Sequence, residues 1–97
     1  MIRIVKLSFE ATHVDKFVTL FEERKHLIRN FEGCSLLELW QDKQDPNVFY
    51  TYSLWQNENH LKQYRMSDLF QDTWRQVKPW FKCPAQAFSA DKIRSLI

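Results

Sequence analysis

The aromatic-rich stretch from Val48 to Phe70 constrains the fold of this chain more than any other segment. Its first part, Val48 to Trp55, alternates as a β-strand does, with odd-numbered residues on one face and even-numbered residues on the other. Both faces carry large apolar side chains, and such a strand is covered on both sides. A chain of 97 residues has helices for only one cover. We therefore predict that the second cover is another copy of the chain.

Composition predicts one compact domain over residues 1–97 and a homodimer. The chain is 44% hydrophobic and 15% aromatic, which is far from the composition of a disordered chain. A domain of this size buries only about 60–65% of its unfolded surface, so a partner would add stability. The net charge of +2 is spread along the chain and offers no concentrated basic field. Nucleic acid is therefore not expected as a partner.

The first residues predict a strand and no targeting segment. Apolar residues alternate from Ile2 to Phe9, without a basic leader or a long apolar run. We expect a cytoplasmic protein that does not bind membranes. Cys34 and Cys83 are too few and too far apart for a disulfide framework or a CxxC metal site, so they are predicted to be reduced thiols.

The next segments predict a long helix and two further strands. Apolar residues recur at helical spacing from about His13 to Phe31, with Thr12 as the N-cap and Gly33 as a left-handed C-cap that ends the helix. Cys34 to Gln41 reads as the second strand. The turn formers from Asp45 to Asn47 join it to the third strand as a hairpin.

The remainder predicts two helical pieces and a last short strand. Asn57 and Ser67 are N-cap residues for the helices, and Pro79 ends the second one near Lys78. Residues 84–90 can form a fourth strand. The order βαββαβ, with two right-handed crossovers, predicts a ferredoxin-like α+β sandwich with sheet order 4-1-3-2.

The common catalytic and metal-binding motifs are missing. A single glycine excludes a GxGxxG or Walker A loop, and there is neither an HExxH motif nor a clustered His/Cys set, so no metal is expected. The three histidines occur singly, and each is explained more simply as a solvated helix residue. His60 is the best catalytic candidate among them, because it lies in the first turn of a helix beside Trp55 and Tyr64.

The aromatic residues around the third strand predict one small-molecule pocket between sheet and helices. Trp55 and Trp74 could border it, although ordinary core packing explains Trp74 more simply, because it lies at helical spacing from Phe70. The Tyr64 hydroxyl could orient a phenolic substrate or stabilise its oxygen. The predicted catalytic residues are Tyr64 and His60, and the predicted substrate-binding residues are Trp55, Trp74, Phe70 and Tyr52.

An ordered set of residues resembles the antibiotic biosynthesis monooxygenase (ABM) domain, a family of small dimeric α+β barrel proteins. The matching residues are Phe31-Glu-Gly-Cys34, Leu37, Leu39, Asp45-Pro46, Phe49, Trp55, Leu61, Tyr64, Ser67 and Phe70. The resemblance spans nearly the whole chain. It implies a dimeric α+β barrel in which two sheets pack face to face, with a pocket in each subunit between sheet and helices.

The resemblance also implies a function. Enzymes of this family include cofactor-independent monooxygenases that turn phenolic or quinol-type substrates into quinones, and haem-degrading oxygenases. Here Trp74 stands where the haem-degrading members place an axial histidine, and Lys6 and Ser8 stand in the first strand in place of an asparagine. Tyr64 replaces a histidine that is frequent in the family's H-x-x-S-x-x-F segment. We therefore expect oxidation of a small aromatic substrate without a cofactor.

Two other functions fit part of the sequence. A catalytically silent small-ligand-binding dimer would show the same features as the enzyme. RNA-recognition motifs share the βαββαβ order and display aromatics on the third strand, where Tyr50 and Tyr52 could stack on bases. Their RNP1 pattern is absent, because Asp45 to Asn47 occupy the place of its basic residue and glycines.

Overall fold

The computed structural model describes all residues from Met1 to Ile97 as one antiparallel sheet with helices on one face. The strands are β1 (Ile2–Ser8), β2 (Cys34–Gln41), β3 (Val48–Trp55) and β4 (Gln86–Ala90), and the helices are α1 (Val14–Arg29), α2 (Glu58–Arg65) and α3 (Asp68–Val77). The sheet order is β2-β3-β1-β4, which is 4-1-3-2 counted from the other edge. The predicted ferredoxin-like α+β fold is confirmed.

The strand register decides which residues share a face. Arg3 of β1 pairs with Ser53 of β3 and with Ser89 of β4. Ile4, the next residue, pairs with Tyr52 on one side and Phe88 on the other. Because directly paired residues point to the same side of a sheet, odd-numbered residues of β1 and β3 face the helices. We call this the inner face, and the opposite one the outer face.

The caps of the two later helices are those predicted. The Asn57 side chain accepts a hydrogen bond from the His60 amide at 2.9 Å, and the Ser67 hydroxyl accepts one from the Phe70 amide at 3.2 Å. Each bond satisfies an amide that the first helical turn leaves without a partner. Pro79 lies in a 3₁₀ turn directly after α3, so its predicted role in ending the helix is confirmed.

The ends of α1 differ from the prediction. Thr12 lies within a 3₁₀ turn (Ala11–His13), and no side chain caps α1. The helix ends at Arg29, so Gly33 is not its C-cap. Gly33 does adopt the predicted left-handed conformation, with φ 91°, but in the turn that leads into β2. A side chain at Gly33 would also overlap His60.

The core lies between the inner face and the helices. Its main cluster consists of Leu7, Phe9, Phe17, Leu20, Phe49 and Val77. A second, smaller cluster of Cys34, Trp55 and Leu61 lies where β3 leads towards α2. Arg24 joins α1 to α3 through hydrogen bonds to Asp72 at 2.9 Å and Thr73 at 2.8 Å. The helical layer is thus held to the sheet by apolar packing and to itself by polar contacts.

The outer face is largely apolar, although Lys6 and Glu38 also lie on it, and it has no helix over it. Its large apolar residues are Ile2, Ile4, Leu36, Trp40, Tyr50, Tyr52, Leu54 and Phe88. Phe88 remains 54% exposed and Trp40 40% exposed. The prediction that both faces of β3 are partly apolar is confirmed. No helix in the chain has the length and apolar character needed to cross a membrane.

Candidate functional site

A cavity of about 290 Å³ lies between the inner face and the helical layer. Of the 19 residues that line it, 14 are hydrophobic. Small-molecule sites commonly occupy ~300–1,000 Å³ and are mostly apolar with a few polar groups. This cavity therefore has the size and character of a site for a small ligand with one or two rings.

Four aromatic residues along β3, α2 and α3 form one continuous wall of the cavity. Tyr64 stacks on Trp55 with ring centroids 5.0 Å apart, and meets Phe70 edge-on at 5.2 Å. Phe70 in turn stacks on Trp74 at 5.8 Å with nearly parallel planes. All four line the cavity. The structure thus brings together Trp55, Tyr64, Phe70 and Trp74, as the sequence predicted, and adds their contact geometry.

Trp55 anchors this wall in the smaller core cluster. The residue is only 3% exposed. Its indole N–H donates to the Ser53 hydroxyl at 2.9 Å, and that hydroxyl donates to the backbone carbonyl of Arg3 at 3.4 Å. A buried indole N–H needs such a partner. Trp55 therefore presents an apolar ring to the cavity and has no polar group left for a ligand.

Tyr64 supplies a polar group within the aromatic wall. Burial raises the pKa of Tyr64 well above the ordinary value for tyrosine, and the nearby Cys34 adds a smaller increase. The residue therefore keeps its proton at neutral pH. Its hydroxyl forms no hydrogen bond within the chain, and the two hydrogen bonds from Ser67 go to its backbone carbonyl. A neutral, unpartnered hydroxyl can donate to a ligand oxygen, but it is a poor base.

The remaining polar residues of the cavity are two arginines, one serine and two threonines, namely Arg3, Arg65, Ser53, Thr51 and Thr73. Two of their hydroxyls are already engaged. Ser53 bonds Trp55, and Thr73 donates to the Leu69 carbonyl at 2.7 Å while accepting from Arg24. No histidine, aspartate or glutamate lines the cavity, and the chain gathers no His/Cys/Asp/Glu group that could hold a metal ion.

Two residues predicted for the site lie outside it. The His60 ring packs against Gly33, and its Nδ1 is 3.0 Å from the Asn57 side chain, so it points away from the cavity. Tyr52 is an even-numbered residue of β3 and therefore belongs to the outer face, where it stacks on Trp40 at 4.8 Å. Neither residue lines the cavity.

Arg3 and Arg65 also line the cavity and were not predicted from the sequence. A signal for Arg3 was present, because it shares the odd-numbered face of the first strand with Val5 and Leu7, where a charged residue stands out. No comparable signal marked Arg65, because an arginine in the last turn of a helix is ordinary. Its place at the cavity follows only from the way α2 packs on the sheet.

The protein is a small α+β domain. Its ferredoxin-like sheet and its helices enclose a mostly apolar cavity of the size of a small ligand. The chain belongs to the antibiotic biosynthesis monooxygenase family, whose sequence model matches residues 1–76. The resemblance drawn from the residues between Phe31 and Phe70 is therefore confirmed. Among proteins with curated descriptions, none matches the chain.

Solved structures show the same fold at low sequence identity. A conserved protein from Methanosarcina mazei Go1 is 22% identical with a TM-score of 0.84, over 90% of this chain and 87% of that one. An antibiotic biosynthesis monooxygenase is 16% identical with a TM-score of 0.88, over 97% and 100%. A protein from Pseudomonas aeruginosa is 16% identical with a TM-score of 0.85, over 96% and 93%. At these identities the likeness shows the fold alone.

Proposed function

We infer that this protein is a cytoplasmic, homodimeric monooxygenase that oxidises a small phenolic or quinol-type substrate in the cavity without a cofactor. The observation that carries this proposal is the Tyr64 hydroxyl, which is neutral and without a partner inside an aromatic wall. A flat aromatic ligand can stack against such a wall, and its oxygen can accept a hydrogen bond from Tyr64. Membership of the monooxygenase family favours oxidation over simple binding.

The proposed reaction needs no reductant. A phenol with hydrogen at the para carbon reacts with O₂ to give a para-quinone and water. One oxygen atom forms the new carbonyl at that carbon, where the C–H bond breaks. The second oxygen leaves as water with the ring hydrogen and the hydroxyl hydrogen. The substrate supplies all four electrons that O₂ accepts, so atoms and electrons balance without a flavin or a metal.

The residues of the cavity would promote this reaction by stabilising the phenolate. The cavity lining holds no carboxylate or imidazole, so the phenolic proton passes to solvent, and solvent returns a proton when the second oxygen leaves as water. A hydrogen bond from the Tyr64 hydroxyl favours the phenolate form of the substrate. The phenolate then transfers an electron to O₂ between the apolar walls, which exclude water and so protect the radical pair from side reactions.

The homodimer part of the proposal depends on the outer face. An antiparallel sheet face that is rich in aromatic and branched residues is normally covered. A second copy offers the same apolar surface, and two such faces can pack around a two-fold axis. In this arrangement Tyr52 stabilises the dimer and does not touch the substrate.

Haem fits this cavity poorly. The haem-degrading reaction requires an iron ligand, and no histidine or cysteine lines the cavity. Trp74 stands where the resemblance places the axial histidine of the haem-degrading members. Its indole nitrogen donates a hydrogen bond but does not coordinate iron. The proposed reaction therefore contains no step through haem.

The test is product formation from a panel of mono- and dihydroxy-aromatic compounds under isotopically labelled O₂, with chelator-treated protein. We expect one labelled oxygen in the quinone and one in water. Loss of product after chelation would contradict the cofactor-independent mechanism. If the wild-type protein binds these phenols, as followed by NMR, but forms no product from any of them, the protein is a ligand carrier or sensor.

A further inference from the structure

Two arginines lie at the same cavity without an acidic partner. Arg3 projects from the inner face of β1, and Arg65 is the last residue of α2, directly after Tyr64. The chain forms three ion pairs, and neither arginine takes part in any of them. Within the chain, the Arg3 guanidinium donates one hydrogen bond, to the Ser89 hydroxyl at 3.1 Å. The Arg65 guanidinium forms no hydrogen bond within the chain. Most of their N–H donors are therefore free.

These two charges act on each other. Partial burial is the main cause that lowers the pKa of Arg3, and the charge of Arg65 is the second. Both groups stay charged at neutral pH, because arginine cannot be deprotonated in proteins. Two adjacent cations without an anion raise the free energy of the empty site. A bound anion would relieve this repulsion.

The cavity is also polarised along its length. Arg3, Val5 and Leu7 line it in sequence along β1, so the charged end and the apolar end are roughly 13 Å apart. Its free polar groups are the two guanidinium groups, which can only donate, and the hydroxyls of Tyr64 and Thr51. Ser53 and Thr73 are engaged within the protein. Such a cavity fits a ligand with an aromatic body and acceptors at one end.

We propose that Arg3 and Arg65 form an anion subsite, so that the cavity selects aromatic ligands that carry a carboxylate. A carboxylate supplies two oxygens to guanidinium groups in a geometry that arginine matches well. The aromatic ring then lies against Trp55, Tyr64 and Phe70. This inference rests on the proposed function, because it takes the cavity to be the site of an aromatic ligand.

The experiment compares 2-naphthoate with 2-naphthamide, which has the same ring and nearly the same shape but no charge. NMR titration of the labelled protein gives both affinities and shows whether the indole and amide signals of the cavity shift. We expect the wild-type protein to bind the carboxylate roughly 10- to 100-fold more tightly than the amide. This preference should fall as ionic strength rises, because Arg65 is exposed.

The variant Arg3→Gln/Arg65→Gln should bind both compounds with similar affinity, because the carboxylate loses its charged partners whereas binding of the neutral amide does not depend on charge. The single variants Arg65→Gln and Arg75→Gln form a matched pair, because each removes one positive charge from an exposed arginine. Arg75 lies in α3 outside the cavity, so Arg75→Gln should keep the preference. If the double variant does not fold, Arg65→Gln alone decides, because its guanidinium bonds nothing in the protein. In Arg65→Gln, the logarithm of the ratio between carboxylate and amide affinity should fall to half of its wild-type value or less.

The outcomes separate this inference from the proposed function. Binding of both compounds in the cavity with equal wild-type affinity would overturn the anion subsite and leave the aromatic site standing. A preference that survives in the arginine variants would also overturn it. If neither compound shifts the cavity signals, the aromatic-ligand proposal fails and the subsite fails with it.

Discussion

Trp55 and Tyr52 are aromatic residues three positions apart on β3, yet they lie in different surroundings. Trp55 is on the inner face, where it is 3% exposed and forms part of the cavity wall. Tyr52 is on the outer face, where it stacks on Trp40, itself 40% exposed. Strand alternation separates them, because side chains three apart point to opposite sides. Aromatic density alone therefore cannot identify a ligand site.

The same comparison extends to the whole sheet. The inner face combines a packed core with a cavity that holds two guanidinium groups without an acidic partner. The outer face carries large apolar residues without a cavity and without a cover from the chain itself. A cavity is suited to a small ligand, whereas a flat apolar face is suited to another protein surface. We thus expect substitutions on the two faces to affect different properties.

The largest effect is expected from Trp55→Ala. This substitution empties a buried site and removes the indole that bonds Ser53, so the free energy of unfolding should fall by ~3–5 kcal/mol. Trp40→Ala is the matched control on the outer face, where the same change removes a ring that is partly exposed in the single chain. At protein concentrations low enough for the chain to be monomeric, it should cost clearly less. Chemical denaturation measures both. If both variants lost the same free energy of unfolding, the different burial of Trp55 and Trp40 would not explain a difference in stability between the two faces.

The next effect concerns association. Ile4 lies on the outer face between Tyr52 and Phe88, so Ile4→Lys would place a charge in the middle of the proposed dimer contact. The dimer dissociation constant should rise on the order of 100-fold, because a buried unpaired charge is costly. Sedimentation should then show the 11.8 kDa chain.

Thr19→Lys, at an exposed position of α1, is the control for added charge and should leave the dimer intact. A wild-type protein that sediments only as the single chain at low micromolar concentration would remove the dimer proposal. The outer face would then have to pack against something other than a second copy of the chain.

A smaller and more specific effect is expected from Tyr64→Phe. The change removes one hydroxyl and no packing volume, so the melting temperature should stay close to that of the wild type. Turnover of a phenolic substrate should fall roughly 10- to 100-fold, because a donor to the developing phenolate is lost. Tyr52→Phe is the same change on the outer face and should leave turnover unchanged. If both variants keep wild-type turnover, Tyr64 has no part in the reaction.

The fold was predictable from the sequence because its signals are local. Alternation gave the strands, and Asn57 and Ser67 marked two helix starts with their own side chains. The order of elements then left few topologies. The N-cap of α1 was predicted wrongly because a 3₁₀ turn precedes the helix, and Thr12 lies inside that turn. A capping residue type shows where a helix can begin, but not whether a tighter turn comes first.

The site was predictable only in part, because its residues come together through packing. Helical spacing placed Tyr64, Phe70 and Trp74 on one side, and the structure brings them to one cavity. His60 was placed beside the cavity because of its nearness in sequence to Trp55. The direction of its side chain is set by Gly33, whose missing Cβ leaves room for the His60 ring. A contact between a turn and a helix has no periodic signal in the sequence.

The smallest effect concerns the pH dependence of stability and two carboxyl groups, one in the helical layer and one beside the outer face. Hydrogen bonds from Arg24 and Gln76 lower the pKa of Asp72 in the helical layer. The Asp45 amide and the Tyr50 hydroxyl lower the pKa of Asp42 beside the outer face. Since each folded-state pKa lies below the unfolded value of ~3.9, both groups stabilise the fold above that pH. Their contribution is lost as the pH falls through the folded-state pKa.

Asp72→Asn and Asp42→Asn should each make the acid side of the stability profile slightly flatter, and the two changes should add, because the residues share no partner. Melting temperatures measured from neutral pH down to about pH 3 test this. Both groups are partly exposed, so high salt should reduce the Asp72 contribution, which depends on the charge of Arg24. The Asp42 contribution should change less, because its partners are neutral N–H and O–H donors. An equal response of both variants to salt would contradict this assignment of causes.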